Sequence, residues 1–110
     1  MEYTITFYDD ALQSEILALP PSLLARYFNL ADRMIKSGAN LGEPHTKAMS
    51  KGLFEMRLKS TDGIARIFYC TLVGKRIVML HSLVKKTQKT PARDLKLAHT
   101  RMKEIKNDDL

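Results

Sequence analysis

Charged side chains occur at regular positions inside a run that is otherwise apolar, residues 53–59. Side chains two residues apart in a strand share a face, so Phe54, Met56 and Leu58 are predicted to face the core. Glu55 and Arg57 then lie side by side on the opposite face. Charge in the middle of a sheet is costly unless it is paired or used, and pairing with cross-strand neighbours on a solvated face is the simpler explanation from this strand alone.

A single guanidinium, that of Arg66, lies in the centre of the next apolar run, residues 64–69. Arginine suits phosphate binding because its planar fork donates two parallel hydrogen bonds and keeps its charge at physiological pH. A structural ion pair between Arg66 and Glu55 is the alternative explanation. The two interpretations are compatible with each other.

The third run, residues 76–85, contains His81 and is followed by closely spaced lysines, among them Lys85, Lys86 and Lys89. Histidine can transfer protons near neutral pH, and lysines supply counter-charges for phosphate. A single strand histidine is more often structural, and a lysine run alone is typical of a solvated end of a sheet. Together with the charges of the two preceding runs, these residues indicate one site for an anionic ligand.

The overall charge agrees with an anionic partner. Eighteen Lys and Arg residues against twelve Asp and Glu give a net charge of +6, which attracts polyanions such as nucleic acid. A basic composition is also compatible with solubility alone, so the distribution of the charge has to decide. With 110 residues, 45% of them hydrophobic, the chain is expected to form a single domain over residues 1–110.

Several classes of chemistry lack the residues they need. His45, His81 and His99 lie far apart in the sequence, without an HExxH motif, a cluster of carboxylates, a P-loop or a GxGxxG motif. Cys70 is the single cysteine and is expected to be a small buried hydrophobe. We therefore expect metal-free chemistry or simple binding. Without a signal peptide or a membrane-spanning run, we expect a cytoplasmic protein with no membrane partner.

The first half of the chain is predicted to contain one strand and two helices. Residues 3–8 alternate like a strand, and Asp9 and Asp10 offer caps for a short helix that ends before Pro20. Ser22 is expected to cap a second helix, which Gly38 ends in the left-handed conformation. Residues 39–52 show no sustained period and are interpreted as a connecting loop.

The second half is predicted to form an antiparallel meander and a helix. Strands over residues 53–59, 64–72 and 76–85 are separated by short hairpin turns. Thr90 and Pro91 supply a cap and a first-turn proline for a C-terminal helix. The order β-α-α-β-β-β-α predicts an α+β fold whose mostly antiparallel sheet packs one face on helices and leaves the other at least partly open to a ligand.

Three strings carry a resemblance to a known family: Gly52 to Arg57, Arg66 to Tyr69, and Leu80 to Thr87 followed by Lys89-Thr90-Pro91. Over residues 47–105 the chain resembles the phage-derived HigB branch of the RelE toxin superfamily. The resemblance implies a compact RelE-like toxin that cleaves mRNA in the ribosomal A site and needs neither a metal nor an organic cofactor. It also implies neutralisation by a helix-turn-helix antitoxin of the HigA type, with operator DNA bound only through the antitoxin complex.

In such an enzyme the RNA 2′-hydroxyl attacks its own phosphate, so the protein must orient the nucleotide and stabilise the developing charge. The resemblance implies that Arg57 and Arg66 hold the phosphate, that Lys85 adds positive charge, and that Glu55 or His81 accepts or donates a proton. Further RNA contacts are assigned to Lys47, Lys86, Lys89 and Tyr69. Alanine at either arginine is expected to abolish toxicity without unfolding the protein.

The sequence departs from the family at two points. Many RelE relatives have a catalytic tyrosine near the C-terminus, but no tyrosine follows Tyr69, for which core packing is the alternative. Leu83 occupies a position that is often aromatic in this branch, which removes one surface for base stacking. The alternative functions are a non-catalytic nucleic-acid-binding module and a relative of the same fold that acts on gyrase.

Overall fold

The computed structural model describes residues 2–85 and 89–109. Its elements are, in chain order, β1 (Thr4–Phe7), α1 (Asp10–Leu17), α2 (Pro21–Ser37), β2 (Thr46–Ala48), β3 (Phe54–Ser60), β4 (Gly63–Leu72), β5 (Arg76–Lys85) and α3 (Ala92–Asp108). One five-stranded sheet has the order β1-β5-β4-β3-β2. Among the described strands only the β1–β5 pair is parallel, so the predicted α+β fold with a mostly antiparallel sheet is confirmed.

The predicted hairpins differ from the observed ones by at most one residue at each end. Alternating apolar and polar residues, together with turns rich in glycine, make these strands recognisable from local sequence. The strand β2 was not predicted, because three residues are too few to show a period. It pairs with residues 54–56 of β3, which places a fifth strand inside the predicted loop.

Two of the predicted helix caps are wrong, while the first is confirmed. Asp9 caps α1 by accepting a hydrogen bond from the backbone N–H of Leu12 at 2.8 Å. The helix α2 starts at Pro21, and the Ser22 hydroxyl instead contacts that of Ser60. The helix α3 starts after Pro91 without a side-chain cap, because the hydroxyl of Thr90 contacts the sheet instead.

Both faces of the sheet carry apolar clusters. The larger cluster joins α1 and α2 to one face, with contributions such as Ile16, Met34 and Ile67. The smaller cluster joins α3 to the opposite face through residues that include Phe68, Cys70, Leu80, Ala98 and Met102, and Cys70 is buried as predicted. Because α3 covers only part of its face, the remainder of that face is left for polar side chains.

A β-bulge in β5 decides which face the end of this strand presents. Tyr69 pairs with Met79 and Phe68 pairs with His81, so Leu80 is an extra residue on β5. Met79 faces α1 and α2, whereas strict alternation would also have turned His81 toward them. The bulge instead puts His81 against Phe68, with ring centroids 6.4 Å apart, and puts Leu83 in the cluster under α3.

Within residues 2–85 and 89–109, no helix combines the length and the apolar character needed to cross a bilayer.

Candidate active site on the polar face of the sheet

Charged side chains from four adjacent strands share the part of the sheet that α3 leaves open. In one cross-strand row, Lys47 is opposite Glu55, and Glu55 is opposite Phe68, which pairs in turn with His81. In the next row Arg57 is opposite Arg66, and one row further Ile64 is opposite Lys85. We call this surface the polar face and define it as Lys47, Glu55, Arg57, Arg66, His81 and Lys85.

Glu55 is the centre of the polar face. Its side chain is buried, and Oε1 accepts hydrogen bonds from Arg57 Nε at 2.9 Å and from Arg66 Nη1. Its second oxygen accepts a bond from the Thr90 hydroxyl at 3.2 Å. Burial alone would raise the pKa of Glu55, but the hydrogen bond from Arg57 and the charge of Arg66 outweigh it and lower this pKa below its usual value. Glu55 is therefore an ionised anchor for the arginines and a poor proton acceptor.

The two arginines differ in their access to a ligand. Arg66 is buried, with 4% of its surface exposed, whereas the Arg57 side chain keeps 28% exposed. Arg57 also donates from Nη1 to Glu43 at 3.1 Å, and Glu43 itself is 64% exposed. Since exposed ion pairs of this kind contribute little stability, an incoming phosphate can replace Glu43 at low cost. Arg57 is the arginine that a ligand reaches first.

His81 is held by a carboxylate that the sequence analysis did not identify. Asp94, in the first turn of α3, lies 2.7 Å from His81 Nε2, so this nitrogen carries the hydrogen and donates it. Among the described residues the opposite ring nitrogen, Nδ1, is buried and has no hydrogen-bond partner. A carboxylate that fixes the orientation and tautomer of an imidazole is the arrangement that general bases use. Asp94 could have been proposed only by docking α3 on the sheet.

Lys85 is linked to Glu55 through a hydroxyl group. Its Nζ donates to the Thr90 hydroxyl at 3.1 Å, and this hydroxyl donates to Glu55. Burial and the nearby charge of Arg66 lower the pKa of Lys85 below its usual value. A lysine with a lowered pKa donates a proton more readily than an ordinary one, so Lys85 is a candidate general acid as well as a positive charge.

The remaining predicted residues are distributed over three different environments. Lys47 is exposed beside Glu55 on the edge strand, Lys89 is exposed just before Thr90, and Lys86 lies outside the described residues. Tyr69 faces α1 and α2, is fully buried, and donates its hydroxyl hydrogen to the carbonyl of Ala39 at 2.6 Å. A buried ring cannot stack on a base, so the assignment of Tyr69 to RNA contact is wrong and the core interpretation holds.

A second basic region lies on the outer side of α3. A groove of about 760 Å³ runs between this helix and residues 50–51, and its basic lining includes Lys51, Lys96, Lys103 and Lys106. We call it the lysine groove and define it by these four lysines. Within the described parts of the chain, none of the four pairs with a carboxylate within 4.0 Å. The same described parts contain no group of three His, Cys, Asp or Glu residues placed to hold a metal ion.

Comparisons with known proteins agree with the geometry. Residues 14–103 match the family described as "Phage derived protein Gp49-like". The fold is similar to that of an arginine-to-alanine double mutant of the Escherichia coli toxin RelE in the free state, with a TM-score of 0.66, 16% identity, and coverage of 93% of this chain and 99% of that one. It is also similar to the archaeal RelE–RelB complex from Pyrococcus horikoshii, with a TM-score of 0.55, 16% identity, and coverage of 76% and 96%. A comparison with curated protein sequences found no match.

Proposed function

The chain belongs to the Gp49-like family of phage-derived proteins and has the RelE fold, and on this basis we propose that it is the toxin of a toxin–antitoxin pair. Its activity would be the cleavage of mRNA on the translating ribosome without a metal ion. A helix-turn-helix protein of the HigA type would neutralise it and would carry the complex to operator DNA. Both the toxin and its targets would be in the cytoplasm.

The observation that carries this proposal is the convergence of three cations on one buried carboxylate. Arg57, Arg66 and Lys85 come from three neighbouring strands, and Glu55 lies between them. One carboxylate neutralises one of these charges and fixes the geometry of the others. A cluster of this kind is preorganised for a phosphate, whose oxygens gain negative charge as the transition state forms.

The proposed reaction is the attack of the RNA 2′-hydroxyl on the adjacent phosphorus, which breaks the bond to the 5′ oxygen of the next nucleotide. Arg57 binds the phosphate through its exposed guanidinium group, and the buried Arg66 contributes positive charge behind it. Because Glu55 is ion-paired with two arginines, His81, oriented by Asp94, is the proposed proton acceptor, and its Nδ1, which is buried in the free protein, must become accessible when RNA binds. Lys85 then protonates the departing oxygen, in keeping with the lowered pKa of this lysine.

The test compares wild type with the Arg57→Ala variant, each induced in a bacterium while growth and transcript 5′ ends are followed. We expect growth arrest and cuts inside translated codons for wild type, and at least a 100-fold loss of cutting for Arg57→Ala. Arg33→Ala removes an exposed arginine on α2 and should behave like wild type. Co-expression of the helix-turn-helix protein encoded beside the toxin should restore growth.

Arg66→Ala is a poor test of catalysis, contrary to the expectation from sequence. Arg66 is buried and bonded to Glu55, so its removal leaves a buried carboxylate with one partner fewer. We therefore expect this variant to lose stability as well as activity, which makes the more exposed Arg57 the informative position. If soluble, folded wild type leaves growth and transcripts unchanged, the catalytic roles assigned above are wrong.

A non-catalytic nucleic-acid-binding module is the second candidate function, and the lysine groove favours it. Lysines without carboxylate partners attract a phosphate backbone without requiring any reaction. Such a protein would bind RNA with a strong dependence on salt but would leave transcripts whole. Transcript mapping in the same experiment separates the two functions.

A further inference from the structure

A cavity of about 350 Å³ opens beside the polar face, at the outer edge of β3. The short strand β2 pairs only with residues 54–56, and the last contact on this side is the hydrogen bond from the Arg57 N–H to the His45 carbonyl at 2.8 Å. Beyond that point α2 passes next to β3 without another strand between them in the described chain. The cavity occupies the space that β2 leaves unfilled.

The walls of the cavity come from three elements. The helix α2 contributes Arg26, Asn29 and Leu30, whose spacing of three and four residues puts them on one side of the helix. The connection before β2 contributes Pro44 and His45. The sheet contributes the remaining lining residues, which are Arg57, Leu58, Lys59, Ile64 and Arg66.

The cavity has a basic lining and shares two residues with the polar face. Its charged lining residues are all basic, and Arg57 and Arg66 belong to both surfaces. A phosphate bound to the more exposed Arg57 would therefore have the group attached to it at the opening of the cavity. Apolar side chains such as Leu30, Pro44 and Leu58 form the other part of the lining.

Hydrogen bonds away from the opening hold the walls in place. The hydroxyl of Ser22 lies 2.7 Å from that of Ser60 and also donates to Asp62, which fixes the start of α2 to the β3–β4 turn. The N–H of Gly42 donates to the Thr46 hydroxyl at 3.0 Å, which fixes the connection that carries His45. Because the walls are already fixed, a ligand that binds here does not incur the free-energy cost of ordering them.

From this arrangement we infer that the cavity is a nucleobase pocket, which receives the base of a nucleotide next to the cleaved phosphate, and that Asn29 distinguishes among bases. The inference rests on the proposed function, because the phosphate on Arg57 sets the position of the base. A base has flat apolar faces for Pro44 and Ile64, which are exposed and half-buried respectively, and a polar edge for the exposed Asn29 amide. An amide pairs with a base edge through one donor and one acceptor, a pattern that only some bases match.

The size of the cavity favours a single base over a duplex. About 350 Å³ lies near the lower end of the range for small-molecule pockets, so it admits one splayed nucleotide. Single-stranded RNA is recognised in this way, through bases turned out of the stack and bonded on their edges. The pocket would also replace the stacking surface that Leu83 does not provide.

The first experiment sequences the 5′ ends produced by wild type, Asn29→Asp and the control Arg33→Ala. Asn29 is exposed on α2, so the exchange of its amide for a carboxylate should leave the fold intact. We expect one position beside the cut to favour particular bases in wild type and in the control. Asn29→Asp should cut the favoured sites at least tenfold less often and change the preferred base. An unchanged base preference in a variant that still cuts would overturn the inference.

The second experiment does not depend on catalysis. The backbone amide signals of residues that line the cavity are followed by NMR while 3′-phosphorylated adenosine, guanosine, cytidine and uridine are added separately to wild type and to Asn29→Asp. For wild type we expect saturable shifts whose affinities differ among the four nucleotides. For Asn29→Asp we expect the four affinities to become similar. Saturable binding without any cutting would keep the pocket and reject the ribonuclease. Absence of saturable shifts with all four nucleotides would reject the pocket.

Discussion

The polar face holds Arg57, Arg66 and Lys85 in ion pairs and hydrogen bonds, whereas the lysine groove leaves its cations in solvent. On the polar face a single buried carboxylate, Glu55, bonds to two arginines and to the hydroxyl that contacts Lys85. In the groove, among the described residues, four lysines have no carboxylate within 4.0 Å. Both regions are basic, but only the first fixes the positions of its charges.

This difference follows from the residue types and their burial. A planar guanidinium bonded to a buried carboxylate loses its freedom on folding and presents a fixed fork, which phosphate chemistry requires. A lysine on an exposed helix is a mobile, hydrated charge that acts at a distance and is screened by salt. We therefore expect the polar face to determine the rate of cutting and the groove to determine the attraction to RNA.

The largest expected effect is the loss of stability when Glu55 is changed to Gln. The change leaves Arg66 buried without its charged partner, and breaking a buried pair costs about 3–5 kcal/mol of unfolding free energy. Urea denaturation measures this loss. The matched control is Glu43→Gln, which removes the exposed partner of Arg57 and should cost less than about 1 kcal/mol.

The dependence of stability on pH provides a second measurement on the same variant. In the folded protein the pKa of Glu55 is lower than its ordinary value of 4.5. The contribution of ionised Glu55 to the free energy of unfolding is therefore complete above about pH 4.5. The contribution is lost as the pH falls from there through the lower, folded-state pKa. Wild type should therefore lose its advantage over Glu55→Gln in acid. An advantage that stays constant down to the lowest pH would show that Glu55 is not the ionised anchor.

The next largest effect is expected on the rate of RNA cutting when the shape of a cationic side chain is changed and its charge is kept. Arg57→Lys keeps the positive charge but loses the fork, so the single-turnover rate of RNA cutting should fall by about 100-fold. The matched change in the groove, Lys103→Arg, alters shape at constant charge and should leave the rate within about twofold, because exposed lysines act through charge alone. Equal losses from both substitutions would contradict the distinction between the two regions.

The smallest effect is expected in the groove. The triple change of Lys96, Lys103 and Lys106 to Gln should weaken RNA binding. It should also make the fall of log affinity with log salt less steep, by about 2 in the slope. Cutting at saturating RNA should be unchanged, since these side chains do not touch the phosphate on Arg57. Filter binding over a range of salt concentrations gives the slope, and an unchanged slope would remove the groove from the RNA interface.

Much of the fold followed from the sequence because it depends on local periodicity. Alternation over residues 53–59 correctly put Met56 in the core and Glu55 beside Arg57 on the opposite face. The three long strands, their hairpin turns and the helix α2 were predicted for the same reason. The alternative of an ion pair between Glu55 and Arg66 also proved right, since charge inside an apolar strand requires a partner.

The rest of the site depended on contacts between residues that are distant in the chain. The three-residue strand β2 can be identified only from its pairing with β3. The bulge at Leu80 moves His81 to the polar face only because pairing with β4 fixes the register of β5. Asp94 reaches His81 only when α3 docks, and the cavity beside Asn29 exists only because β2 ends early.

By itself the sequence determined which side chains alternate along a strand and how much charge the chain carries, since both depend on neighbouring residues and composition alone. The tertiary structure alone decided which of these charges meet. Register, bulges and helix docking are settled by the burial of the whole apolar core, a quantity that no local segment contains.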